Sequence, residues 1–268
     1  MSIDPTSDRP VYQQVADVLR RRVLDRDVAP GDRMPSETEL MHEFGISRTT
    51  ARLTYGVLRA EGLIDAVRGR GVFVRDRRAA QRVASDRYRS AIERLREGAA
   101  GTPPETAFTR DQSIDWGDYR LDKEFHEVVA TADLALLLGV EDGTPVLARH
   151  FVFYAADQPQ QMSVSYLPAD LVAGTPVADP ANEPWPGGTI AQLATLGVSV
   201  TRIEESVRAR MPTPDERRTL QIAQGVPVLT VTRRMFDGER PVEAAVDIVM
   251  PADRFVLDYT IDLADPAG

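Results

Sequence analysis

The stretch PSETELMHEFGISRTTARLTYGVLRAEGLIDAVRGRGVFV, residues 35–74, decides how the chain is read. Ser36 and Glu39 stand three apart, the spacing of a capping box that satisfies backbone N–H groups in a helix's first turn. Leu40 and Phe44 follow four apart on one helical face. Gly45 closes that helix, because the closing residue commonly needs positive φ. Ser47 caps a second helix, in which Leu53, Val57 and Leu58 are expected to face a core and Gly62 marks the end. Two short apolar strands, 63–64 and 72–74, flank the turn Arg68-Gly69-Arg70-Gly71. The pattern predicts helix, turn, helix and a two-stranded wing.

The side chains on this frame suit duplex DNA. The first turn of the second helix carries Arg48, Thr49, Thr50 and Arg52. A guanidinium pairs bidentately with guanine in the major groove, and hydroxyls bond phosphate. Ser36, Glu37 and Ser47, at the two helix starts, complete the expected contact set, while Arg68, Gly69 and Arg70 form a wing tip for a minor groove or a phosphate rail. Singly, each feature occurs by chance and an arginine is often merely solvated; the ordered set is what points to DNA. Upstream, Val11, Val15, Val18, Leu19 and Val23 mark an amphipathic first helix.

With these residues the segment 10–74 resembles the winged helix-turn-helix domain of the GntR family of bacterial transcription regulators. The resemblance rests on Pro10-Val-Tyr-Gln-Gln-Val, Pro35-Ser36-Glu37, Phe44-Gly45-Ile46-Ser47-Arg48, Glu61-Gly62-Leu63-Ile64 and Gly69-Arg70-Gly71-Val72-Phe73-Val74. It implies a homodimer that reads a double-stranded operator as an inverted repeat, one helix per major groove. Thr38 stands where that family often has a basic residue.

A net charge of −9 looks wrong for such a protein until the chain is divided. Residues 1–78 hold 14 Arg against 12 acidic residues, a net +2, while the remainder holds 18 basic against 29 acidic, a net −11. The asymmetry separates a weakly basic head, 8–78, from an acidic body, 105–264, through a linker with a helical segment at 79–104. There is no cysteine, hence no disulfide framework or thiolate site. No apolar run is long enough for a membrane span, and MSIDPTSDRP lacks the apolar core of a signal peptide, so a cytoplasmic protein is expected. His42, His126 and His150 fall on different expected elements, and neither a P-loop nor a G-x-S-x-G elbow occurs. No catalytic residue, metal or cofactor is expected.

The body contains an internal repeat. Shifted by 82 residues, 131–167 lies over 213–249 without a gap, matching Thr131 with Thr213, Leu138 with Leu220, Gly143 with Gly225, Pro145 with Pro227, Leu147 with Leu229 and Pro159 with Pro241. Each copy reads as a short helix, a Gly-X-Pro turn and a β-hairpin, and two hairpins pair into one antiparallel sheet with helices on one side. The expected class is α+β. The repeat, with Leu138-Gly139-Val140, Ser163-Val-Ser-Tyr-Leu-Pro and Asp253-Arg254-Phe255, makes the body resemble the UTRA effector-binding domain of the HutC-type branch of the same family. That domain has a chorismate-lyase-like fold, which implies a cavity reused for a small-molecule effector.

Strand alternation places Gln161, Ser163 and Ser165 on one face and Glu243 and Asp247 on the equivalent face of the second hairpin, with Val242, Val246 and Ile248 opposite. Arg149 and Arg233 lie on the first strands of the two hairpins and would supply cations. These polar rows suggest a pocket; a solvated sheet face is the alternative. The resemblance implies effector contacts at Arg149, Ser163, Ser165 and Glu243. Phe151 occupies the place where sugar-phosphate sensors of this type carry a second arginine, which argues for a more apolar effector or none. A constitutive repressor with a vestigial pocket, or a lyase-like enzyme, are the alternatives to a ligand-released repressor.

Overall fold

The computed structural model describes residues 3–4, 6–67, 69–75, 81–84, 87–97 and 104–259. The chain divides into two compact units, Met1–Ala79 with Ile222–Val226, and Ala80–Gln221 with Pro227–Gly268.

The first unit packs α1 (Val11–Leu24), α2 (Glu37–Phe44) and α3 (Arg48–Ala60) beside a two-stranded antiparallel wing, β1 (Ile64–Val67) and β2 (Gly71–Val74). The local chemistry is as the residues dictate. Ser36 accepts from the Glu39 N–H while the Glu39 carboxylate accepts from the Ser36 N–H, each bond removing an orphan donor from the start of α2. Gly45 closes α2 at φ +64, where a side chain would be strained. Ser47 caps α3 through the Thr50 N–H. The core gathers Val15, Ala16, Leu19, Leu40, Ala51, Tyr55, Leu58 and Ile64. Leu53 is a correction: it is 50% exposed, because α3 buries the stripe Ala51, Thr54, Tyr55 and Leu58, and Leu53 lies off it. Thr54, entirely buried, offsets its hydroxyl's desolvation by donating to the carbonyls of Thr50 and Tyr12.

The second unit begins with β3 (Gln81–Ala84), α4 (Arg87–Glu97) and α5 (Ala107–Asp111). It then runs β4 (Tyr119–Val129), α6 (Ala132–Leu138), β5 (Pro145–Ala155), β6 (Gln158–Pro168), α7 (Ala169–Val172), α8 (Gly188–Thr195), β7 (Arg202–Arg210), α9 (Pro214–Thr219), β8 (Val228–Asp237), β9 (Arg240–Pro251) and β10 (Phe255–Asp258). Six strands form one antiparallel sheet in the order β4-β5-β6-β9-β8-β7, and β3 pairs in parallel with β10. Helix and hairpin recur in both halves, and the duplication reaches further upstream than the sequence match. Phe125 pairs with Arg149 in β4–β5, and Val207, 82 residues on from Phe125, pairs with Val231, 82 on from Arg149. The seam between the halves is β6–β9.

Helices cover both faces of the sheet rather than one. Leu134 and Leu138 of α6 pack with Val146, Tyr166 and Ala244, whereas Ala91 of α4 and Ile190 and Leu193 of α8 pack on the opposite face with Leu147, Leu167 and Met235. Alternation breaks twice on β9: Met235 pairs with Glu243 but Phe236 with Pro241, so Val242 is extra and packs with Met235 and the α8 core instead of lying opposite, and a second break falls at the seam. Met162 pairs with Val249 but Val164 with Val246, so residues 247 and 248 together oppose Ser163. Asp247 absorbs the bulge at φ +49. Its side chain is therefore turned out, 68% exposed and 3.7 Å from Arg210, instead of sharing the face of Glu243, and Ile248 takes that place.

The bulge gives a direct test. Asp247→Gly relieves a positive φ and leaves the urea midpoint unchanged or higher, whereas Asp247→Val forces a β-branched residue into it and costs about 1–3 kcal/mol. Equal midpoints for the two variants would show that the bulge does not depend on the backbone conformation of residue 247.

Candidate nucleic-acid interface and ligand cavity

In the first unit the exposed start of α3 carries the expected donors. The side chains of Arg48 and Arg52 are 61% and 65% exposed, and Glu37, the first residue of α2, faces both. Arg52 Nε donates to Glu37 Oε1 at 3.0 Å, and Arg48 Nε is 3.7 Å from Glu37 Oε2. Glu37 thus orients two guanidiniums on the surface of α3. Thr49 is exposed; the Thr50 hydroxyl is 2.9 Å from the Ser47 hydroxyl and so belongs to the helix cap as well as to the surface. On the wing, Arg70 lies over the Phe73 ring at 5.9 Å and Gly69 turns the tip at φ +77. Arg68 lies outside the described residues.

In the second unit a cavity of about 110 Å³ lies between the inner sheet face and α4, α5 and α8. That is room for a small molecule rather than a single water. Gln161, Ser163, Ser165, Phe151 and Arg233 line it. Arg149 and Glu243, both 0% exposed, lie beneath that lining. Arg149 Nη1 donates to Gln192 Oε1 at 2.7 Å and Nη2 to Ser165 Oγ at 2.8 Å and Thr189 Oγ1 at 3.3 Å. Ser165 Oγ in turn donates to Glu243 Oε1 at 2.8 Å, which also accepts from Arg233 Nη2 at 2.7 Å. Gln192 passes the chain on to Glu183 Oε1 at 2.7 Å. Burial pushes the Arg149 guanidinium below its ordinary value, against the pull of Glu243 and Glu183. Burial acts the same way on Arg233, but the Glu243 carboxylate and Tyr88 outweigh it and hold that guanidinium above its ordinary value.

The structure thus brings together Arg149, Phe151, Gln161, Ser163, Ser165, Arg233 and Glu243 and leaves out Asp247. The expected polar face is enclosed, not solvated. Sequence reasoning missed the far wall: Tyr88, Phe108, Tyr119, Glu183, Trp185 and Thr189. All six lie outside the repeat, on α4, α5, β4, α8 and the loop before α8, where no second copy exposes the pattern. The signal there is the run Pro186-Gly187-Gly188: Gly187 enters α8 at φ +81, where a Cβ would lie 2.6 Å from that of Ala191.

The model of the gntR family of bacterial regulatory proteins matches residues 11–74, and that of the UTRA domain matches residues 123–256. An HTH-type transcriptional regulator of Streptomyces coelicolor is 30% identical over 264 residues, covering 96% of this chain and 95% of that protein. The chain belongs to the GntR family. A histidine utilization repressor of Pseudomonas putida is 28% identical over 261 residues, 93% of this chain and 91% of its own length. A crystal structure of a GntR-family transcriptional regulator aligns with a TM-score of 0.63 at 32% identity, covering 96% of this chain and 99% of that one. The protein is a DNA-binding transcription regulator, its first unit the gntR head and its second a UTRA domain.

In this GntR regulator His126 and His150 sit 6.0 Å apart on β4 and β5, with Glu124 at 3.0 Å from His126 Nε2. They lie on the exposed face, and among the described residues no group of three or more such side chains is placed to hold a metal ion. No described helix is long and apolar enough to cross a membrane.

Breaking the buried relay leaves an uncompensated charge. Arg149→Met is expected to cost about 3–5 kcal/mol in urea unfolding, and the double variant Arg149→Met with Glu243→Gln to cost clearly less than the sum of the two single changes. Strict additivity would show that the two charges do not depend on each other.

Proposed function

We propose that this protein is a cytoplasmic homodimeric repressor, released from an inverted-repeat operator when a small molecule enters the UTRA cavity. The observation that carries the reading is the pairing, in one chain, of an exposed Arg48/Arg52 face on a capped helix with an enclosed, polar-floored cavity in the other unit. Two heads would present α3 to major grooves about one turn apart. Arg48 and Arg52 would read bases, Thr49, Thr50, Ser36 and Ser47 would bond phosphate, Glu37 would hold the arginines in place, and Gly69 and Arg70, with Arg68, would set the wing. A ligand regulates only by favouring one arrangement of the heads over another; the segment between the wing and the sheet, 79–104, would carry that difference.

The regulator is read as a binder and not a catalyst. Arg149, Ser165, Glu243 and Arg233 are tied to one another, and Ser165 spends its proton on a carboxylate that already faces a guanidinium. Relatives differ in what their names say they control, so the effector does not transfer by similarity.

Selection of bound duplex from a random pool, followed by screening of cell metabolites for release, tests the whole reading. A pool that yields no palindromic preference at moderate salt would end it. Within that assay Arg48→Ala should weaken operator binding by about 1–3 kcal/mol and flatten base choice at one position per half-site. Arg70→Ala should weaken all sequences alike and reduce the slope of log K against log salt by about one. Fluorescence anisotropy across a salt series separates these two signatures; a base-selective loss on Arg70→Ala would reverse the assignment.

A further inference from the structure

The polar groups in and beneath the cavity fall into two sets. The charged set is compensated in charge, with the buried Nε of Arg149 and of Arg87 left without a hydrogen-bond partner among the described residues. Arg233 grips Glu243 with Nη2 at 2.7 Å and Nε at 3.3 Å. Arg149 is shut below the cavity lining and reaches Glu243 through Ser165 and Glu183 through Gln192. The two guanidiniums and two carboxylates sum to zero. At the rim, Arg87 is paired with Asp111 at 2.9 Å. The second set is neutral and open. Gln161 and Ser163 lie two residues apart on β6, both in the cavity wall and both less than one-tenth exposed. Their side chains make no hydrogen bond to any described residue, and they face the cavity with donors and acceptors that a bound molecule can meet. Much of the remaining wall is aromatic: Phe108 stands 5.5 Å from Tyr119 and 5.2 Å from Phe153, the Tyr119 and Phe153 rings lie within 16° of parallel, and Trp185 also lines the cavity.

We propose that the cavity takes an uncharged ring compound whose polar edge carries both a donor and an acceptor, such as a primary amide, and rejects carboxylates and phosphates of the same shape. This rests on the UTRA unit being the effector site. The physical reason is that an anion gives up its water and meets no uncompensated cation, whereas a neutral polar edge satisfies Gln161 and Ser163, which are otherwise unpaired. The ring is buried against aromatic faces, where offset stacking adds to area burial.

The probes are 2-naphthamide and 2-naphthoate, equal in shape and different in charge, titrated calorimetrically into the full-length chain. Wild type should bind the amide at least about tenfold more tightly than the acid. The pair Gln161→Ala and Ser163→Ala should abolish amide binding with the circular dichroism spectrum unchanged. Glu243→Gln, which leaves Arg233 uncompensated, should move the preference toward the acid by about tenfold or more. The wild-type comparison stands whether or not a variant folds. A wild-type preference for the acid overturns the charge argument and leaves the effector reading intact, and binding of neither probe at millimolar concentration also overturns the proposal. The effector reading itself falls separately, if no metabolite releases the operator.

Discussion

One buried relay organises the UTRA unit. Arg149 comes from the first half of the duplicated sheet and Glu243 from the second, and neither reaches water. A guanidinium or a carboxylate alone in such a place would cost several kcal/mol, and their attraction offsets that cost only when the remaining donors and acceptors are also met. Gln192, Ser165 and Thr189 accept from the two terminal nitrogens of Arg149, while its Nε has no hydrogen-bond partner and the guanidinium lies against the Phe125 and Phe151 rings. The consequence is geometric: the β6–β9 seam, α8 and the loop through Glu183 must arrive together, because each supplies a partner that another element's charge requires. Hydrophobic burial alone, being non-directional, would not fix α8 over the sheet in one rotation.

The head reaches definition by a different route. Its helices are short, and much of what sets their ends is local: a reciprocal Ser36–Glu39 cap, a left-handed Gly45 and a Ser47 cap. Local signals of this kind are written in adjacent residues, which is why the helix-turn-helix and its wing were legible from residues 35–74. The hairpins were legible for a related reason, since an 82-residue repeat exposes the same order of elements twice. What was not legible depends on neighbours distant in the chain. Leu53 looked like a core position because it is apolar, but only the packing of α3 decides which stripe is buried. Asp247 looked like a partner of Glu243 because strands alternate, and a one-residue bulge moved it to the other face. β7 is an edge strand with little alternation in burial, β4 is an edge strand whose alternation over 119–126 puts the charged Lys123 on its inner face, and the repeat that could have revealed them keeps their register but little of their sequence.

The same contrast separates the two kinds of arginine in the molecule. On α3, Glu37 touches Arg48 and Arg52 at the surface, in high dielectric, where an ion pair is worth little and can be exchanged for a stronger phosphate or base contact. In the wall of the cavity and beneath it, Arg233 and Arg149 are held in low dielectric by partners they cannot exchange without leaving a charge stranded. An arginine count treats these alike. Burial tells them apart, and with it the role: the first pair is free to change partners, the second is scaffold.

That difference bears on how a cavity of this construction could be coupled to the rest of the chain. A ligand that displaced Glu243 from Arg233 would have to repay a buried ion pair, so occupancy acts more cheaply on the walls than on the floor. Among the wall elements α4 reaches the sheet through a hydrogen bond and a ring contact. Tyr88 lines the cavity, donates its hydroxyl to Glu205 on β7 and lies 5.9 Å from the Arg233 guanidinium, while Ala91 packs on the apolar core beside it. Filling the space next to Tyr88 changes what surrounds one hydrogen bond to a carboxylate and one ring beside a guanidinium, without breaking a buried ion pair, an energy of about 1–3 kcal/mol. A ligand shifts an equilibrium only by its differential affinity for two states. A difference of that size is enough to change an affinity severalfold, which makes α4, the helix that precedes the sheet in the chain, the wall element on which a modest binding preference acts.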